Sequence, residues 1–141
     1  MKLLKIPIEQ ILALLGAALC LVITILLWGG ISPHQSMWPA PGLYFIEIVV
    51  VCAAAAGLLL SGGTPGRAAL WVSAGIVLAF SLLAAFSVGV YYFPVAVVFI
   101  FAGAAADRIA RQTMLAHVGL FFAAAIFQAA LIVAMAYLLY K

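Results

Sequence analysis

SLLAAFSVGVYYFPVAVV, residues 81–98, interrupts an apolar tract that is too long for one membrane helix. The tract runs from Ala68 to Ala106. As a single helix it would reach roughly 58 Å at ~1.5 Å per residue, about twice the ~30 Å hydrocarbon core of a bilayer. Gly89, the paired Tyr91 and Tyr92, and Pro94 fall together near its middle. Glycine and proline are the residues that end helices and make turns. The tract therefore reads as two spans with a reversal between them, and the alternative is one broken third span.

The flanking sequence supports this reading. The chain has 141 residues, is 70% hydrophobic, and carries only six Lys+Arg and three Asp+Glu. Soluble domains carry about 25% charged residues, so these few charges cannot clothe a water-facing surface. Mean hydropathy is +1.41. The apolar runs are continuous rather than alternating, which excludes a β-barrel. The expected fold is a single-domain, all-α integral membrane protein, a bundle of five transmembrane helices over about residues 8–29, 43–61, 68–88, 91–106 and 114–140. The first run follows Lys2 and Lys5 as a signal peptide would. It is about 20 residues long, however, against the ~7–15 of a signal-peptide core, and reads as a retained helix. SGGTPGR, residues 61–67, reads as a turn.

With the N-terminus cytoplasmic, Lys2, Lys5, Arg67, Arg108 and Arg111 lie inside and Lys141 outside. This obeys the positive-inside rule and places the C-terminus outside. It also explains the basic balance without nucleic acid. Trp28, Trp38, Tyr44, Tyr91, Tyr92, Tyr137 and Tyr140 then form an outer aromatic belt, with Trp71 at the inner boundary. A bacterial-type inner or plasma membrane is the expected location. Small residues four apart share a helix face and let backbones approach. Ala13/Ala17, Ala53/Gly57, Gly75/Ala79, Ala125/Ala129 and Ala130/Ala134 are candidates for helix contacts.

Candidate chemistry is sparse. Glu47 lies about one turn into the second span, and an ionisable group there is a functional hypothesis by default. Its expected partner is a proton, His34, a tyrosine hydroxyl or a bound cation. Trp38, Tyr44, Tyr91 and Tyr92 share its side of the membrane. Thr24 and Gln128 are expected to make interhelical hydrogen bonds. Cys20 and Cys52 read as buried thiols packing as small apolar groups. His34 and His117 fall on opposite sides, so they cannot form a bis-histidine haem site. No metal, catalytic or nucleotide-binding motif is present, and nothing specifies a cofactor.

GAAADRIARQ, residues 103–112, resembles the cytoplasmic loop signature of major facilitator transporters: Gly, three residues, Asp-Arg, then Gly-Arg-basic. Gly103, Asp107, Arg108 and Arg111 match, while Ala110 and Gln112 depart from it. In that family the Asp and Arg brace adjacent helix ends. The resemblance implies a similar brace for Asp107, Arg108 and Arg111. It spans only this loop, and that family has twelve spans, so transport is not carried over.

Three readings follow. The leading one is a non-enzymatic accessory or structural subunit of a membrane protein complex, partnered by lipid and by other subunits or by itself. The second is a small oligomeric carrier coupled to ions or protons through Glu47. The third is a lipid-, quinone- or pigment-binding protein using the outer face. The acid–base inventory is too poor for an integral membrane enzyme.

Overall fold

A computed structural model describes residues 7–30, 42–110 and 114–139. It is helical almost throughout: α1 is Ile8–Gly30, α2 Gly42–Ser61, α3 Thr64–Leu83, α4 Phe93–Ala110 and α5 Met114–Leu139. A short 3-10 turn, Gly89–Tyr92, leads into α4. All five are long and apolar enough to cross a membrane.

Each boundary has a local cause. Pro7 heads α1, and its carbonyl accepts from the amides of Gln10 and Ile11. Between α2 and α3, Gly62 and Gly63 take φ of 84° and 95°, backbone that L side chains seldom adopt. The turn is complete at Gly63. Pro65 already belongs to the first turn of α3, where its fixed φ suits a helix and its missing N–H is no loss. This is why α3 starts at Thr64, earlier than the expected residue 68. It ends earlier too, at Leu83. Gly66 sits against α2 so closely that a Cβ there would lie 2.6 Å from the Leu58 carbonyl oxygen.

At the break in the long tract, the Gly89 amide donates to the Ala84 carbonyl at 2.8 Å and Ser87 to the same oxygen at 3.0 Å. The reversal thus supplies its own backbone partners, as a non-helical segment near lipid must. The chain folds back fully here. At the far ends of α3 and α4, Trp71 and Asp107 are hydrogen-bonded to one another, so the two helices are antiparallel and the single broken span is excluded.

Helices α1 to α4 form a ring in which α1 touches α2 and α4, and α3 touches α2 and α4. Cys20, Phe45, Ile48, Leu70, Val77, Tyr92, Val95 and Phe99 fill its centre. Gly16 on α1 opens the space that the Phe99 ring of α4 enters. The fifth helix stands outside the ring, with its backbone against α3. There Gly75 carries no side chain, and a Cβ would run into the Phe121 carbonyl and approach the Ala125 amide. Of the small-residue pairs, Gly75/Ala79 is buried and Ala125/Ala129 half-buried. Ala53/Gly57 and Ala130/Ala134 are exposed, so those two pairs are not contacts within this chain.

Candidate functional site

The polar side chains gather mainly where α5 meets the ring, and they do so at two depths. Near the end that carries Arg67 and Arg108, Asp107 is wholly buried. His117 Nδ1–H of α5 donates to both carboxylate oxygens, at 2.8 and 2.9 Å. Trp71 Nε1–H of α3 donates to Oδ2 at 3.0 Å. One carboxylate therefore links three helices. The indole reaches it across Gly103, one turn earlier on α4, where a Cβ would lie 2.9 Å from Trp71 Nε1. Phe121 closes the cluster with its ring edge-on to Trp71 at 6.3 Å. Trp71 is thus an interior hydrogen-bond donor. A buried carboxylate is costly unless it is hydrogen-bonded, and each available donor here points at it.

About three turns further along α5, Gln128 Nε2–H donates to Glu47 Oε2 at 3.1 Å. Glu47 lies ~21 Å from the Ser61 end of α2, and Gln128 lies equally far from the Met114 end of α5, at ~1.5 Å per residue. Gln128 is 1% exposed, and its Oε1 has no hydrogen-bond partner among the described residues. Both residues stand out in the sequence as isolated polar groups, but nothing in their spacing pairs them: the groups near Glu47 in sequence are not its partner, which stands 81 residues away on α5.

A third polar contact lies inside the ring. The Thr24 hydroxyl donates to the Cys20 carbonyl at 2.8 Å. Tyr92 OH lies 2.7 Å from Thr24 Oγ1 and, with the Thr24 proton already committed, donates to that hydroxyl oxygen. Tyr92 is fully buried between the Phe45 and Phe80 rings. Its ring therefore faces the bundle interior, while Tyr91 is exposed. Tyr44 is half-buried, its ring 5.8 Å from Phe80. Cys20 and Cys52 are free and buried. Arg108 is exposed. His34, Trp38 and Arg111 lie outside the described residues.

At the mouth of the ring, Glu9 and Arg67 line a cavity of about 210 Å³ together with Gln10, Leu59 and Ile109. Glu9 Oε2 and Arg67 Nε are buried without a partner among the described residues. In the sequence Arg67 reads as a topology signal, whereas Glu9 does not stand out. An acidic residue in the first turn of a helix is ordinary, so it carried no signal.

No family model matches this chain, and no similar curated protein or solved structure is found. The geometry therefore has to speak for itself. Among the described residues no group of three or more His, Cys, Asp or Glu is placed to hold a metal ion. Asp107, His117 and Trp71 are spent on each other, as are Thr24 and Tyr92. What these contacts do chemically is hold helices together.

Proposed function

We propose that this chain is a non-enzymatic structural subunit of a membrane protein complex, in which α1–α4 form a scaffold and α5 is presented to a different membrane protein. It would reside in a bacterial-type inner or plasma membrane with the Arg67 and Arg108 end cytoplasmic. The observation that carries the reading is the two-sidedness of α5. One face holds His117, Phe121 and Gln128, its only buried residues. The opposite face, half a turn away by helical geometry, exposes Gly119, Ala123, Ala130 and Ala134 as gaps between the large side chains of Ile126, Val133 and Tyr137. Lipid chains have no need of small residues, whereas a second helix does, because small residues let backbones approach.

Two features weigh for this reading over a carrier. The centre of the ring is filled by large side chains such as Phe45, Ile48 and Phe99, and Glu47 is engaged by a neighbouring helix. The test is extraction in mild detergent followed by native mass measurement. A second polypeptide should travel with this chain in fixed ratio. A species built of this chain alone, monomer or homo-oligomer, overturns the proposal.

A further inference from the structure

Between α1 and α4, on the side of the ring away from α5, runs an apolar groove of about 580 Å³. Its walls include Ile8 and Leu12 of α1 and Val98 and Phe101 of α4, with Ala105 on its floor and Arg108 at one end. We propose that this groove binds one acyl chain of an anionic phospholipid, whose phosphate is held by Arg108.

Length, shape and charge each support the assignment. From Arg108 to Val98 the groove follows α4 for ~15 Å at ~1.5 Å per residue. That is half of a ~30 Å hydrocarbon core, the depth of one leaflet from headgroup to midplane. The shape is set by side-chain size. On α4, residues 98, 101, 105 and 108 recur at helical spacing on one face, and the alanine among larger neighbours makes a trough that a flexible chain can enter. The charge is uncompensated. Asp107, the adjacent acid, is turned into the bundle and taken by Trp71 and His117. Glu9 faces the ring-mouth cavity beside Arg67. No salt bridge to Arg108 exists among the described residues. A guanidinium is well suited to phosphate, which it can grip with two parallel N–H bonds. Unpaired positive charge also disfavours the ammonium of a zwitterionic headgroup, and basic pockets between helices on the cytoplasmic side are where anionic headgroups bind.

The test uses the full chain in detergent, titrated separately with phosphatidylglycerol, phosphatidylcholine and inorganic phosphate, with adducts read by native mass measurement. One phosphatidylglycerol should be retained at concentrations where phosphatidylcholine is lost. Arg108→Gln should reduce that retention about fivefold, the equivalent of ~1 kcal/mol for one basic residue at a membrane surface. Ala105→Trp, which fills the trough, should remove the lipid adduct while helicity is kept. If that variant fails to fold, Ala105→Leu carries the same expectation with less added volume. Equal retention of the two lipids, an Arg108→Gln variant that binds as the parent does, a lipid adduct that survives filling of the trough, or binding of free phosphate with no lipid retained would each overturn the proposal.

Discussion

Asp107 has both carboxylate oxygens engaged, by donors 36 and 10 residues distant in the chain. Removing a single partner leaves a buried charge without compensation, which typically costs about 3 kcal/mol or more. Removing both partners together costs less than the sum, because their mutual bond is lost once and no charge is stranded, only the Trp71 N–H. We expect His117→Ala and Asp107→Ala each to destabilise the protein by about 3 kcal/mol, and the double variant by clearly less than their sum. Reversible unfolding in detergent measures this, and additive losses would show that the two residues act independently. The sequence marks Asp107 and Gly103 through the loop signature, but it gives no hint that Trp71 crosses the glycine to reach the acid. That contact depends on how α3 and α4 are rotated, and no local spacing encodes rotation. The inward turn of Tyr92 is hidden in the sequence for a related reason. An amphipathic ring serves equally at an interface or inside the bundle when an acceptor such as Thr24 is within reach.

At the scale of the helices, α5 is attached by one close backbone approach and two polar bridges. Gly75→Leu should disrupt the approach, since even a Cβ meets the Phe121 carbonyl, at a cost of about 1–3 kcal/mol for an overpacked contact. Hydrogen exchange should then quicken across α5 and remain unchanged in α1 and α2. Gly57→Leu is the control, with nothing within 4 Å of its added Cβ and an expected effect within ~0.5 kcal/mol. A uniform rise in exchange after Gly75→Leu would mean that α5 is integral to the ring. Helix limits were largely legible: α2 and α5 were placed to within a residue, because turn-forming residues or charges interrupt the apolar runs there. Which face of each helix turns inward was not. In water an apolar stripe points to the core. In a bilayer both faces are apolar, so spacing gives the period of a contact and withholds its direction. Ala53/Gly57 and Gly75/Ala79 look alike in sequence, yet only the second pair is covered.

For the whole molecule, five helices are long and apolar enough to span a membrane, and if all five cross, residues 1 and 141 lie on opposite sides. A tag at Lys141 should react with an impermeant reagent added to intact cells, while a tag before Met1 should be protected until the membrane is opened. Reaction of both, or neither, in intact cells would require an even number of crossings. The arrangement also bears on how the protein is made. The ring is built from α1–α4, and α5, which follows them in the chain, stands outside it. Domains synthesised early can fold before later ones are finished. A nascent chain can therefore close the ring and set Asp107 and Glu47 in position before His117 and Gln128 emerge. Between α1 and α5 the order of synthesis then matches the order of packing, and α5 meets acceptors for its polar groups already in place.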